Sequence, residues 1–163
     1  MQQRNYQREM DALIASLDAR PRLLLHSCCG PCSSACLERL APHFDIDVFF
    51  YNPNILPTEE WEKRLFWQKH LLETAPFGKN VGLIVPERDE TAFRLAAAGL
   101  EAEAEGGARC TECFVLRLSR TAEAAREGGY DYFATTLTVS PHKNAPLINA
   151  IGEKLAEDHG VLW

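Results

Sequence analysis

The sequence lacks any apolar run that approaches the roughly 20 residues a membrane-spanning helix needs. It also has no low-complexity stretch, no internal repeat and no linker that would separate two domains. Its first residues, Met1-Gln-Gln-Arg-Asn5, are polar and do not resemble the apolar core of a signal peptide. With 163 residues, of which 46% are hydrophobic, the chain can form one core. We therefore expect a single cytoplasmic domain over residues 1–163 that has no membrane partner.

Positive charge is also scarce. The chain has 17 Lys and Arg residues against 23 Asp and Glu residues, which gives a net charge of −6 and a pI near 5.4. Non-specific binding to nucleic acid depends on neutralising phosphates with Lys and Arg, so this balance disfavours it. A local basic patch remains compatible with the composition.

Apolar segments with strand and helix character alternate from Leu23 onward. The predicted strands are 22–26, 46–51, 81–85 and 130–139, with the start of a fifth at 161–163. The predicted helices are 4–18 (within an N-terminal helical segment 1–20), 33–40, 58–75, 90–98, 110–127 and 145–158. Such alternation predicts a single-domain α/β fold, with a mainly parallel, Rossmann-like sheet and helices on both faces.

Three unusual loops follow predicted strands. They are Cys28–Cys32, Asn52-Pro53-Asn54 and Ser140-Pro141-His142-Lys143. Ligands of parallel sheets bind beyond the carboxyl ends of the strands. We therefore expect the three loops to line one edge of the sheet, where Lys143 and His142 are the best candidate polar groups.

The six cysteines are the most informative residues. Reduced cytoplasmic thiols favour metal or redox chemistry over structural disulfides. A thiolate cluster site needs about four sulfurs, commonly from two backbone turns. Cys28-Cys29 and Cys110-x-x-Cys113 provide them, if the chain turns at Gly30-Pro31 so that the adjacent thiols converge. A CxxC at the start of a helix places both sulfurs on one side, near amides that stabilise negative sulfur.

Two other uses of these cysteines remain open. CxxC pairs also form tetrahedral zinc sites, and spacing does not separate zinc from iron–sulfur. Cys29-Gly30-Pro31-Cys32 is the thioredoxin tetrapeptide between a strand and a helix. The preceding Cys28, the second CxxC and the continuing strand–helix alternation weigh against thioredoxin chemistry. For Cys36 a small buried hydrophobe is the preferred interpretation.

The remaining marked residues carry weaker signals. His26 is expected to be a hydrogen-bonded core histidine. A solvated helix face is expected for three cations: Lys63, Arg64 and Lys69. A surface position is expected for three arginines that flank the second CxxC and could form a basic patch with Lys143: Arg109, Arg117 and Arg120.

The chain resembles the QueH-type, cobalamin-independent epoxyqueuosine reductases. The matching stretches run in the family's order across about 23–152 and are specific as a combination. They are His26-Ser-Cys-Cys-Gly-Pro-Cys32, Tyr51-Asn-Pro-Asn-Ile55, Glu60-Trp-Glu-Lys-Arg64, Arg109-Cys-Thr-Glu-Cys113 and Phe133-Ala-Thr-Thr-Leu-Thr-Val-Ser-Pro-His-Lys143. With this resemblance the expected sheet is Rossmann-like of the HUP-like kind.

The resemblance implies a [4Fe–4S] oxidoreductase that completes queuosine biosynthesis by reducing epoxyqueuosine to queuosine in the tRNA anticodon arm, with electrons from an external donor. It implies that four cysteines are the cluster ligands: Cys28, Cys29, Cys110 and Cys113. The family has Cys or Asp at position 32, so Cys32 is a candidate ligand of an additional iron ion that would bind the epoxide oxygen as a Lewis acid. Lys143 and His142 are positional candidates for proton donors.

The resemblance also implies a basic segment and a tail with a Tyr-Arg-Gln run beyond the present end. We therefore expect the chain to be a fragment or a shortened member of the family. Two further functions remain open: a thiol–disulfide oxidoreductase that uses Cys29 and Cys32, and a non-catalytic zinc- or cluster-binding module.

Overall fold

The structure is a computed structural model that describes residues 4–163. A sheet with the strand order β3-β2-β1-β4 lies at its centre, and every pair of neighbours is parallel. Its strands are β1 (Arg22–His26), β2 (Asp45–Phe49), β3 (Gly82–Ile84) and β4 (Tyr132–Thr135). The predicted parallel sheet is therefore confirmed.

Six α-helices and two 3-10 helices surround the sheet. The α-helices are α1 (Tyr6–Ala15), α2 (Gly30–Leu40), α3 (Thr58–Thr74), α4 (Glu90–Ala96), α5 (Ala108–Glu127) and α6 (Ala145–His159). The 3-10 helices are Pro76–Asn80 and Leu137–Val139. Within residues 4–163 no helix is long and apolar enough to span a bilayer.

The sheet is covered on both faces, as its alternating side chains require. Leu24, Phe49 and Phe133 pack on one face, where α5 and α6 contribute the opposite layer. Leu23 and Leu25 point to the other face and pack with α1, α2 and α3. Because β1 is apolar on both sides, it forms the buried centre of the sheet, and its carboxyl end leads directly into the cysteine loop.

The chain near its carboxyl end differs from the sequence-based expectation. β4 stops at Thr135, because the Thr135 hydroxyl accepts the Leu137 N–H at 3.2 Å and starts a 3-10 turn. The predicted fifth strand forms only an isolated parallel bridge, between Tyr132 and Leu162. Trp163 instead turns toward α6, where its indole N–H donates to Asn149 at 3.0 Å.

The first two helices also differ from their predicted bounds. α1 begins after Asn5, whose side chain caps Arg8 N–H at 3.1 Å, and it ends at Ala15. Residues 1–3 of the predicted 1–20 segment lie outside the described residues. α2 begins at Gly30, three residues before the predicted start, because Pro31 suits the first helical turn. Cys32 consequently lies inside the helix.

Candidate metal centre

The carboxyl ends of β1, β2 and β4 meet at one edge of the sheet, and buried His26 ties them together. Its Nδ1 lies 2.9 Å from the Thr135 hydroxyl of β4, and its Nε2 lies 3.0 Å from the Tyr51 carbonyl after β2. The carbonyl can only accept, so Nε2 carries the proton and Nδ1 accepts from Thr135. The prediction of a core histidine is confirmed, and its bonds fix the base from which the cysteine loop starts.

His26 also predicts a pH dependence of stability. Burial, and then the positive charge of Arg117, lower the pKa of His26 to about 4. The unfolded chain takes up this proton near the ordinary pKa of about 6.5, whereas the folded chain does not until about 4. Stability is therefore full above about pH 6.5 and falls as the pH drops. Between pH 7 and 5 this group should cost about 2 kcal/mol in urea unfolding, and His26→Asn should lose that component of the slope.

Three thiols gather immediately after β1. The sulfur atoms of Cys28, Cys29 and Cys32 all lie within 4.8 Å of one another. The Cys29 and Cys32 sulfurs are 3.0 Å apart, and those of Cys28 and Cys29 are 3.9 Å apart. Cys29 is the extended N-cap residue of α2, and the chain changes direction directly after it, where the helix begins at Gly30. The predicted convergence of the two adjacent cysteines is confirmed.

The three thiols differ in how readily each loses its proton. Hydrogen bonds with Cys29 and Cys32 lower the pKa of Cys28, although burial opposes this effect. The same contacts raise the pKa of Cys32, because its S–H donates hydrogen bonds to the neighbouring sulfurs and is stabilised in the protonated form. The group therefore favours one thiolate, at Cys28, which is the form of sulfur that binds metal.

Cys110 lies in the first turn of α5 and Cys113 in the second, facing the same region. Cys110 packs on the apolar cluster that contains Cys28, as do Cys29 and Cys32. Its sulfur accepts the Gly106 N–H at 3.3 Å. Neither α5 thiol belongs to the group of sulfurs within 4.8 Å of one another, so the four-ligand set stays a prediction.

The positive charge at this site comes from Arg117, which is only 4% exposed. Its Nε donates to the Cys113 carbonyl at 3.3 Å, and its guanidinium carbon lies 5.8 Å from the centre of the Phe114 ring. Its charge lowers the pKa of both Cys28 and Cys113, although burial leaves the pKa of Cys113 raised overall. Among residues 4–163 no carboxylate forms an ion pair with Arg117. A buried cation of this kind needs an anionic partner, and the nearby cysteine thiolates can provide the negative charge.

The surface position predicted for Arg117 is therefore wrong. Arg117 follows Cys113 by one helical turn, so it lies on the face of α5 that packs inward. Arg109 and Arg120 are also poor members of a free basic patch. Arg109 donates to the Glu101 carbonyl at 3.1 Å, and Arg120 lies 3.6 and 3.8 Å from two glutamates on its own helix.

A polar network holds the cysteine loop against α3. The hydroxyls of Ser27 and Ser33 lie 2.8 and 2.7 Å from Oε1 of fully buried Gln68. Gly30 packs so closely on α3 that an added Cβ would lie 2.6 Å from the Trp67 carbonyl oxygen. Only glycine allows this approach, and the approach fixes the backbone that carries Cys29 and Cys32.

Buried polar atoms without a partner flank the loop. Asn52 Nδ2 donates to the Ser27 carbonyl at 2.8 Å, and the Thr136 N–H donates to the His26 carbonyl at 3.0 Å. Within the described chain, Asn52 Oδ1 and the Thr136 hydroxyl have no hydrogen-bond partner. Native proteins rarely bury such atoms without water or a ligand nearby, so this edge suits the binding of a polar group.

The other predicted site residues lie around this centre. Lys143 is half-buried, and its charge acts on Cys113. His142 is exposed, and its backbone N–H lies 3.4 Å from the Ser140 hydroxyl. Neither position tests a role in proton transfer, which stays a prediction. Cys36 packs among the apolar side chains under the sheet, as its spacing suggested.

Comparisons with known proteins identify the family of this chain. A family model described as epoxyqueuosine reductase QueH matches residues 23–163. The chain belongs to the QueH family. A QueH protein of Staphylococcus epidermidis is 42% identical over 98% of this chain and 70% of its own length. Those of Streptococcus pyogenes and Thermotoga maritima are 40% and 35% identical, over 91% and 85% of this chain.

The chain spans only part of these QueH proteins. It covers 60% of the Streptococcus pyogenes relative and 65% of the one from Staphylococcus aureus. All six cysteines of this chain lie within the matched residues 23–163. The activity that the relatives' name describes is a proposal for this chain.

The residues of this QueH chain fit thiolate binding of a metal. Three thiols lie together after β1, one of them favours its anion, and a buried arginine stands beside them. Sequence reasoning placed Arg117 at the surface and missed Gln68. The spacing of Cys110, Cys113 and Arg117 at i, i+3 and i+7 places all three on one helical face, and this signal could have revealed the arginine.

Proposed function

We propose that this chain is the iron–sulfur part of a cytoplasmic oxidoreductase that reduces epoxyqueuosine to queuosine in the anticodon arm of tRNA. The observation that carries the proposal is the group of three thiols at the carboxyl edge of the sheet in a QueH-family chain. The reaction removes the epoxide oxygen as water and leaves an alkene. It consumes two electrons and two protons, and an external donor supplies the electrons.

Four cysteines are the proposed cluster ligands: Cys28, Cys29, Cys110 and Cys113. A bound [4Fe–4S] cluster would supply electrons one at a time. Cys32 is the proposed ligand of an additional iron, because its sulfur lies 3.0 Å from that of Cys29 and is not needed for a four-cysteine site. Its place in the first turn of α2 keeps it at the exposed side of the thiol group.

The chain's own residues would prepare the site for a group that gains negative charge during the reaction. Phe114 and Leu137 provide a buried apolar wall beside Cys28, which limits access of water. Arg117 holds positive charge at the same place, so negative charge that enters the site is stabilised. Lys143 and His142 are the proposed proton donors, since both follow β4 at this edge.

A second candidate is thiol–disulfide exchange by Cys29 and Cys32. The 3.0 Å contact between their sulfurs at the start of a helix favours it. In that function the cysteines of α5 would be dispensable, whereas cluster binding requires them. Replacing Cys113 therefore separates the two candidates, because only the cluster function is lost.

The proposal is tested by incubating the anaerobically prepared, cluster-loaded chain with epoxyqueuosine-bearing tRNA and a chemical reductant. We expect queuosine to appear in the digested nucleosides by mass analysis. Cys32→Ala should slow the conversion at least tenfold while the cluster spectrum is retained, and Cys36→Ser is the matched control that should behave like the parent chain. Absence of conversion by a fully loaded chain, both alone and extended by the remaining segment of a QueH relative, would exclude the activity.

A further inference from the structure

α3 presents aromatic rings to solvent beside the cysteine loop. We name the exposed side chains Lys63, Phe66, Trp67 and His70 the α3 aromatic surface. Phe66 is 59% exposed and Trp67 is 47% exposed. Among the large hydrophobic side chains that are strongly exposed in residues 4–163, these are the two aromatic ones. Leaving this much apolar area in water is unfavourable, which points to a contact outside the chain.

The rings form an ordered group. Phe66 and His70 are nearly parallel, with 4° between their planes and 6.1 Å between their centres. Trp67 stands across both at 80° and 82°, with centres 5.2 and 5.5 Å away. Because each ring contacts the next, the three rings are already ordered before a partner binds. Binding a planar partner would therefore cost little side-chain conformational entropy.

The charge around this surface is mixed, with two lysines beside the rings. Lys63 lies one helical turn before Trp67, and Lys69 lies one turn after Phe66. Within the described chain neither lysine forms an ion pair, whereas Arg64 is paired with Glu60 at 2.7 Å. The same helix also carries Glu59, Glu62 and Glu73. Stacking should consequently contribute more than phosphate neutralisation, and the salt dependence should be shallow.

The Trp67 side of this surface borders the face of α3 that packs on the cysteine loop. The Trp67 carbonyl packs on Gly30, which stands between Cys29 and Cys32. The next residue, Gln68, accepts hydrogen bonds from Ser27 and Ser33 on either side of the cysteines. Arg64 is close enough that the charges of Cys28 and Cys29 act on it. A group held on Trp67 would therefore lie beside the loop that carries the metal ligands.

We propose that the α3 aromatic surface stacks unpaired bases of a single-stranded RNA loop and thereby holds a neighbouring base at the thiol centre. This inference rests on the proposed function for its choice of RNA as the partner. Aromatic side chains with adjacent cations are the usual platform for unpaired bases, since every base has a face that can stack. The three arginines near the second CxxC are buried or engaged, so α3 replaces them as the docking surface.

The test measures the affinity of the cluster-loaded chain for a labelled anticodon stem–loop by fluorescence anisotropy, with a blunt RNA duplex of equal length for comparison. Trp67→Leu keeps an apolar side chain but removes the ring, and it should weaken loop binding about tenfold. Trp67→Tyr keeps a stacking face and should stay within about threefold. Lys63→Gln should lower the salt slope by about one. Leu95→Ala, which removes a 72% exposed apolar side chain from α4, is the control and should change nothing.

Each outcome decides the proposal, because the substituted side chains are exposed and folding is checked by thermal unfolding and the cluster spectrum. Unchanged loop affinity in Trp67→Leu would overturn it, as would failure of the parent chain to bind the loop at low salt. The surface would be assigned to a protein contact by either of two results. One is equal weakening of loop binding in Trp67→Leu and Trp67→Tyr. The other is a parent chain that is a dimer in analytical ultracentrifugation and a Trp67→Leu variant that is a monomer. In each of these cases queuosine formation by the parent chain would still support the proposed function, so the two failures are distinguishable.

Discussion

Cys113→Ala should leave the anaerobically prepared protein colourless, and the same loss is expected for Cys28→Ala, Cys29→Ala and Cys110→Ala. Each substitution removes one thiolate from a site that needs about four, and an incomplete ligand set does not retain the cluster. Iron and sulfide should fall from about four each per chain to a small fraction of that value. The measurement is absorption in the visible range together with iron and sulfide analysis.

Cys36→Ser is the matched control for these variants. It also removes a sulfur from the same stretch of chain, but Cys36 packs under the sheet, away from the thiol group. Its cluster content should match that of the parent chain, with only a small packing cost. If Cys36→Ser bleached the protein and Cys113→Ala did not, the proposed ligand set would be wrong.

Arg117→Met should lower the reduction potential of the bound cluster by about 60 to 130 mV. Reduction adds negative charge, which the buried guanidinium stabilises. Two unit charges roughly 6 to 11 Å apart interact by about 1.5 to 3 kcal/mol at an effective dielectric constant of about 20, which converts to this range for a one-electron couple. Methionine fills much of the same buried volume without the charge. The measurement is an anaerobic redox titration followed by electron paramagnetic resonance.

Arg120→Met provides the control on the same helix. Arg120 is about 40% exposed and is already neighboured by Glu123 and Glu127, so its loss should leave the potential unchanged. Arg117→Lys should give an intermediate shift, because the charge remains while the bond from Nε to the Cys113 carbonyl is lost. An unchanged potential in Arg117→Met would show that the arginine serves packing alone.

The sheet and the cysteine loop could be predicted because local signals specify them. Leu23-Leu24-Leu25 is apolar on both faces, which identifies a central parallel strand. Gly30-Pro31 predicts a turn followed by a helix. Only the first residue of α2 was predicted incorrectly. Both signals depend on residues adjacent in sequence, so no knowledge of distant contacts is needed.

The parts that could not be predicted depend on contacts between distant segments. Arg117 is buried because α5 packs its inner face on the sheet, and charge alone suggests the opposite. Gln68 lies in a helix of mixed polarity, and its buried place follows from Ser27 and Ser33, some 40 and 35 residues earlier. The last three residues are strand-like in composition, but Trp163 packs on α6 and leaves one bridge in place of a strand.

Metal analysis of the anaerobically purified chain tests the central claim most directly. The claim is that cysteines from two turns hold an iron–sulfur cluster beside Arg117 at the carboxyl edge of the sheet. It predicts a brown protein with about four irons and four sulfides per chain, and up to about one further iron that depends on Cys32. A colourless protein with stoichiometric zinc, or a metal-free protein with a stable Cys29–Cys32 disulfide, would contradict it.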